Sequence, residues 1–222
     1  AKGSRLRLVM ETDGSLSLIA SKKSNVRNPD GLKGKNISVS GNTFVEYATD
    51  EVMKRACLHP GEVNKPEINN IPLRLMMLED GQISASFLPG PSTAIALDDG
   101  HTALLNTRQM GLHCTGIVFS EKAITEKDEE IRRFITGYNL GVKYLQTRPQ
   151  NEWTEILVKE FGLQEKAAMQ IDLPDYRPAT RPSYHDIEKI IAWLKSKGAI
   201  PDYYPGENLV DTTFIPGTLK PQ

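Results

Sequence analysis

The sequence predicts an α/β fold followed by a helical C-terminal third, and three observations carry that prediction. Short apolar strands alternate with helical stretches between residues 32 and 107, the pattern of βαβ units in a largely parallel sheet. Two of the helices begin at proline, Pro72 and Pro91, and end near Gly81 and Gly100, the usual N-terminal Pro and C-terminal Gly asymmetry. Past Lys127 the texture changes to apolar stripes at helical spacing, with hardly a strand among them.

In chain order, Arg5–Met10 alternates charged and apolar residues like a half-buried strand. Leu16–Ala20 is a second strand, followed by a polar loop whose Asn28-Pro29-Asp30-Gly31 is strong turn chemistry. Asn36–Ser40 reads as a strand, Phe44–Cys57 as a helix, Glu67–Ile71 as a strand and Pro72–Glu79 as a helix. Ile83–Leu88 alternates as a strand, Pro91–Leu97 is a short helix, and Thr102–Leu105 and Thr115–Phe119 are strands. Ile131, Phe134, Ile135, Tyr138, Val142 and Leu145 then form one helical stripe. Trp153, Ile156, Leu157 and Phe161 form a second, and Ile187, Ile190, Ile191 and Leu194 a third. A Pro-rich connection, "LPDYRPATRPS", separates the last two, and residues 201–222 read as an extended Pro-rich tail.

Composition sets bounds. Hydrophobic residues make up 39% and charged residues 25%, ordinary for a globular protein. Net charge is −1 with no basic block, which argues against nucleic acid as a partner. No apolar run approaches the roughly 20 residues of a membrane span. The chain begins Ala1-Lys2-Gly3-Ser4, as a mature secreted protein or a trimmed chain can. Its two cysteines, Cys57 and Cys114, match no zinc or redox spacing and are expected to be buried or partly buried thiols.

Three places could carry chemistry. In Ser40-Gly41-Asn42-Thr43 a strand ends in small polar residues where a helix presents its N-terminus. Thr43 and Glu46 fit a capping box, which explains those two residues without a ligand. It does not explain Ser40, Gly41 and Asn42, which could equally place polar groups and helix amides around an anion. Leu88-Pro89-Gly90-Pro91 is a second strand-to-helix loop. It is expected on the same sheet edge, where open α/β sheets bind ligands, although its prolines could simply stiffen a turn. His113 lies beside Cys114 and Thr115, but neighbours on a strand point to opposite faces and cannot act as nucleophile and base. There is no Gly-rich phosphate loop, GxSxG or HExxH. The pattern favours a binding protein over an enzyme, and no metal or cofactor is expected.

The order of these motifs resembles a known family. "GSLSLIASKKSNVRNPDGLKGKNISVS", "INNIPLRLMMLEDGQISASFLPGPSTAIALDDGHTAL" and "CTGIVFSEK" are similar to the second lobe, and the strand leaving it, of type II periplasmic substrate-binding proteins. Within them the likeness is to the nitrate/sulfonate/taurine branch, which includes relatives for the thiamine pyrimidine precursor. It runs from about residue 5 to residue 216.

The resemblance implies a type II periplasmic binding protein fold with one complete α/β lobe and the helical half of another. Residues 1–15 would be the end of lobe I and the hinge, 16–114 lobe II, and 115–222 the hinge strand and the rest of lobe I. It implies a periplasmic or otherwise extracytoplasmic solute-binding component of an ABC importer, with a lipoprotein anchor as one option, a permease as partner and a small polar or anionic ligand held between lobes that close by a hinge. Carried over, the ligand residues are Ser40, Gly41, Asn42, Thr43, Pro89 and Gly90, with Asp13, Ser15, His113 and Thr115 near the crossovers. Relatives often place an acidic or aromatic residue where this chain has Gly90. They also begin well upstream, so the chain is expected to be a fragment whose incomplete lobe I could self-associate. Enzymes for the pyrimidine precursor or in the menaquinone pathway share the fold and form the second reading, and ligand-sensing regulatory domains a third.

Overall fold

A computed structural model describes residues 5–113, 115–169, 171, 176–204 and 206–215, with 167, 207 and 208 described by backbone alone. Cys114, part of the Pro-rich connection and the end of the tail lie outside the described residues. The chain divides into two compact units: Ser15–Leu112 with Gln150–Leu173, and Ala1–Gly14 with His113–Pro149 and Pro174–Gln222.

The first of these is built on a four-stranded sheet. Its strands are β2 (Leu16–Ala20), β3 (Ile37–Ser38), β4 (Ala85–Pro89) and β5 (Thr102–Asn106), in the order β3-β4-β2-β5. The expectation of a largely parallel sheet is corrected here. β3 and β4 are parallel, but β2 runs antiparallel to both β4 and β5. β2 precedes the strand–helix units and inserts between their strands from the opposite direction. Its first residue therefore lies at the edge where β4 and β5 end: Leu16 is opposite Pro89, and Ser17 is opposite both Leu88 and Asn106.

The expected strand at Glu67–Ile71 is also corrected. Residues 64–68 run beside β3 with isolated bridges Asn36–Asn64 and Val39–Glu67. Pro66 has no N–H to continue a ladder, and Asn70 already caps the next helix by accepting from the Leu73 amide. β4 is buried on both faces rather than half-buried. Its Ser86 is satisfied inside the sheet, accepting from the Ser38 hydroxyl at 2.8 Å, as a buried hydroxyl must be.

Helices α1 (Phe44–Arg55), α2 (Ile71–Asp80) and α3 (Gly90–Asp98) connect these strands. Ile19, Leu78, Ile83, Leu88 and Ala96 form the core between sheet, α2 and α3. α2 stops at Gly81, whose φ of 75° is the left-handed conformation that glycine adopts freely. Cys57 follows the end of α1 at φ 53° and is exposed. The expectation that it is buried is corrected: it occupies the turn that ends a helix and has no core to enter.

Two later helices belong to this same unit, α6 (Gln150–Phe161) and α7 (Glu165–Met169). Leu163, Ala168 and Ile171 pack with Ala94 of α3, joined by Leu157 and Val158, and Lys166 pairs with Asp98. This grouping differs from the division expected at residue 115. The stripe expected to be buried on α6 is corrected: Leu157 packs on the cluster with α3, but Ile156 and Phe161 are exposed.

The second unit carries β1 (Leu6–Thr12) paired antiparallel with β6 (Thr115–Ser120), with a bulge between Leu8 and Met10. Helices α4 (Glu121–Glu126), α5 (Asp128–Thr147) and α8 (Tyr184–Ser196) complete it. Val9, Met10, Ile131, Ile135, Phe214 and Ile215 form its core. Phe134, expected in the buried stripe of α5, is 45% exposed and meets Phe119 edge to face at 5.7 Å.

Candidate functional site

The edge where β4 and β5 end and β2 begins gathers the polar groups of the first unit. Ser15, Ser17, Gly90, Thr93, Asn106 and Arg108 line a cavity of about 210 Å³, with Leu97, Ala103 and Ile171 among its apolar walls. That volume is below the roughly 300 Å³ of a drug-sized pocket, so it suits a small solute or one end of a larger one. The sequence expectation placed Ser15, Pro89 and Gly90 at the site. The structure brings Ser15 and Gly90 to one cavity, with Pro89 paired to Leu16 at its rim.

Each element places its residue for a local reason. Thr107 fixes the start of β2: its hydroxyl accepts from the Leu16 amide at 3.1 Å, and its own amide donates to the Leu16 carbonyl at 2.9 Å. Asn106 and Gln109 exchange hydrogen bonds through their amides and side chains at 2.9 and 2.8 Å, closing the turn that carries Arg108. The Thr93 hydroxyl donates to the Leu88 carbonyl at 3.0 Å and keeps its oxygen as an acceptor.

The two helix N-termini at this edge differ. α3 starts behind Pro89, which supplies no side-chain cap, so the amides of Gly90 and Ser92, on either side of Pro91, meet no capping side chain and have the positive end of the helix dipole behind them. A Cβ on Gly90 would meet nothing within 4 Å. At α1 the protein supplies its own acceptors. The Thr43 hydroxyl accepts from Val45, the Asn42 amide donates to Glu46 at 2.8 Å, and the Gly41 amide donates to Glu67 at 3.4 Å. The capping reading of Thr43 and Glu46 therefore holds in outline, with each bond displaced by one residue from the expected box. A Cβ at Gly41 would lie 3.1–3.2 Å from the Glu67 carboxylate. Asn42, at φ 56°, is the left-handed residue of the turn, a conformation Asn tolerates.

Ser40 is buried, and its hydroxyl accepts from Arg74. Arg74 is 2% exposed and also donates to the carbonyls of Ile68 at 2.6 Å and Phe87 at 3.4 Å. Burial depresses the Arg74 pKa, and it forms no ion pair among the described residues.

The remaining expected site residues lie in the other unit. Asp13 accepts from the Arg177 amide and guanidinium, both at 2.8 Å, and these contacts raise the Arg177 pKa. The Thr115 hydroxyl donates to the Thr12 carbonyl at 2.8 Å and lies 3.4 Å from that of Gly14. His113 is exposed.

Sequence reading missed Ser17, Thr93, Asn106 and Arg108, because their convergence depends on the reversed direction of β2. It also missed Arg74, although an arginine inside "IPLRLMML" was a signal of a buried cation. A larger groove of about 630 Å³ lies between α6 and α7. Its polar lining includes the carboxylates of Glu155 and Glu165 and, among the described residues, no Arg or Lys, a set less suited to an anion; Glu155 is engaged by Lys159 and the Gln150 side-chain amide by the Met169 carbonyl. Among the described residues no group of three or more His, Cys, Asp or Glu could hold a metal.

A mixed sheet with its polar residues gathered at one strand edge defines an α/β protein of the type II periplasmic-binding fold. The chain belongs to the NMT1/THI5-like family, whose model matches residues 9–152. Among solved structures it resembles the alkanesulfonate-binding protein SsuA of Xanthomonas axonopodis pv. citri, at 18% identity and a TM-score of 0.73, over 95% of this chain and 72% of that one. The periplasmic nitrate-binding protein NrtA of Synechocystis PCC 6803 is 8% identical with a TM-score of 0.78, over 93% and 64%. The desulfurization enzyme DszB is 11% identical with a TM-score of 0.62, over 95% and 78%. At these identities the likeness is one of fold. No curated protein matches the chain.

Proposed function

We propose that the chain is the solute-binding component of an ABC importer, working outside the cytoplasm and capturing a small polar or anionic molecule. The observation that carries this is the uncapped N-terminus of α3 beside a small cavity lined by Ser15, Ser17, Thr93, Asn106 and Arg108. Open helix amides, hydroxyls and a guanidinium are the donor set that a sulfonate, nitrate or similar group takes. The names of the sulfonate- and nitrate-binding structural neighbours support the same class. Among the described residues no helix is long and apolar enough to cross a membrane; the proposal assigns the transport step to a permease partner.

The likeness to DszB keeps an enzyme on this fold as the second reading. Against it, the described residues lining the cavity bring no His, Cys or carboxylate to the three hydroxyls, as an activated nucleophile would need. The test is a thermal-shift and calorimetric screen of alkanesulfonates, taurine, nitrate and aminopyrimidines. The proposal expects stoichiometric binding of one class, with the ligand recovered chemically unchanged. Conversion of a bound compound, or stabilisation by none of them, would overturn it.

A further inference from the structure

Helices α6 and α7 fold back on one another and leave a groove of about 630 Å³ between them. It shares no lining residue with the solute edge. Both of its ends are tied. At one, Gly162 takes φ 64° and its amide donates to the Val158 carbonyl at 3.1 Å, which ends α6 and turns the chain toward α7. At the other, the Gln150 side-chain amide donates to the Met169 carbonyl at 2.8 Å. The volume falls in the roughly 300–1,000 Å³ range of a small-molecule site.

The groove has an apolar floor. Thr154 and Val158, four residues apart, share one face of α6. Thr154 is buried and its hydroxyl donates to the Gln150 carbonyl at 2.8 Å, so its hydrogen is already taken. Val158 packs toward the cluster of Leu163, Ala168 and Ile171. Met169 on α7 is exposed and offers a flexible thioether that follows the shape of an alkyl chain.

The charge on the walls is of one sign. α6 contributes Glu155 and α7 contributes Glu165, and no Arg or Lys lines the groove among the described residues. Lys166, the neighbour that could have balanced Glu165, pairs with Asp98 of α3 instead. Among the described residues Glu165 has no hydrogen bond or ion pair. Glu155 meets Lys159 at 2.9 Å, but both side chains are largely exposed, and such a pair contributes little and is easily exchanged. An anion is therefore disfavoured. No aromatic ring lines the groove among the described residues, so a quaternary ammonium would lack the cage it prefers.

We propose that the groove between α6 and α7 is a second binding site, for a small aliphatic amine, whose alkyl chain lies along Val158 and Met169 and whose ammonium is taken by the carboxylates of Glu165 and Glu155. The site is independent of the solute edge: an anion panel tests that edge and leaves the groove unaffected.

The probe is pentylamine, followed by the methyl signal of Met169 in proton–carbon NMR of the full chain. Pentanol serves as the neutral isostere and sodium chloride at matched ionic strength as the charge control. A saturable shift is expected with pentylamine and none with sodium chloride, and pentanol is expected to bind several-fold more weakly. Glu165→Gln alters an exposed side chain without a partner, so its amide spectrum should match wild type. It is expected to weaken pentylamine about three- to fivefold, the scale of one solvent-exposed charge contact. Glu160→Gln removes an exposed charge of α6 that does not line the groove, and is expected to leave the titration unchanged. No saturable shift at Met169, equal affinity for pentanol and pentylamine, or equal weakening by Glu160→Gln and Glu165→Gln would overturn the proposal.

Discussion

Arg74 and Ser40 are joined inside the protein: a guanidinium that is 2% exposed donates to a buried hydroxyl at the mouth of a strand-to-helix loop. The same guanidinium holds the carbonyls of Ile68 and Phe87. One side chain of α2 therefore ties together the segment beside β3, strand β4 and the start of the α1 loop. Arg74→Met leaves those acceptors buried and unpaired, and is expected to cost about 3 kcal/mol. Urea unfolding followed by circular dichroism measures it, and a loss under about 1 kcal/mol would mean that water replaces the guanidinium.

Thr43 acts locally. Its hydroxyl accepts from the Val45 amide and donates to the Ser40 carbonyl at 2.8 Å. Thr43→Ala is expected to destabilise by about 1 kcal/mol, the usual value of an N-cap, and Thr43→Ser to recover most of it. The urea midpoints of the two variants decide this.

In the other unit, Asp13 tethers the stretch around Arg177 to the end of β1. Arg177 is half exposed, so the charge pair itself contributes little, whereas the backbone bond to Asp13 is kept at any salt concentration. Asp13→Ala is expected to lower stability by about 1 kcal/mol, with less than half of the loss removed by high salt. A loss that vanishes in salt would reduce the contact to surface electrostatics.

Stability should also depend on pH through His101. Its Nδ1 accepts from the Lys22 amide at 3.1 Å, which leaves the proton on a buried Nε2 with no partner among the described residues. Burial, and then the charge of Lys22, push its pKa below the ordinary 6.5, with Lys23 acting in the same direction and Asp99 against it. The unfolded chain therefore binds a proton that the folded one resists. This contribution is complete above 6.5 and is lost as pH falls below it. Nearby Glu79 works oppositely at lower pH, because burial and then Asp99 raise its pKa above 4.5, so the comparison is made against a variant. Between about pH 7.5 and about pH 5.5, wild type is expected to lose up to about 1 kcal/mol more than His101→Gln. Equal losses would contradict the assignment.

The parts of the fold visible in sequence were those fixed by local chemistry. β2 falls at Leu16–Ala20 and α1 begins at Phe44 behind Thr43 as expected, and α2 and α3 begin at Ile71 and Gly90, each one residue before the proline expected to start it. What stayed hidden depended on partners far along the chain. Nothing local to "LSLIA" says that β2 runs against its neighbours, and that direction alone brings Ser15 and Ser17 to Gly90 and Asn106. Pro66 could have warned against a strand at Glu67–Ile71. The role of Gly41 was half legible: a close approach was evident, but the approaching group is the carboxylate of Glu67, 26 residues away. The apolar stripe of α6 misled: Leu157 packs toward α3, while Ile156 and Phe161 stay exposed.

The central claim is that the edge formed by Ser15, Ser17, Gly90 and Asn106 holds the solute, and its most direct test is calorimetric titration of wild type and Gly90→Ala with whichever compound of the panel stabilises the protein. A Cβ at Gly90 meets no atom within 4 Å, so the variant should melt like wild type. If the edge holds the solute, the methyl group intrudes on it and affinity should fall about tenfold, the scale of one misplaced methyl in a fitted pocket. Unchanged affinity in a fully folded Gly90→Ala protein would contradict the account and move the site elsewhere.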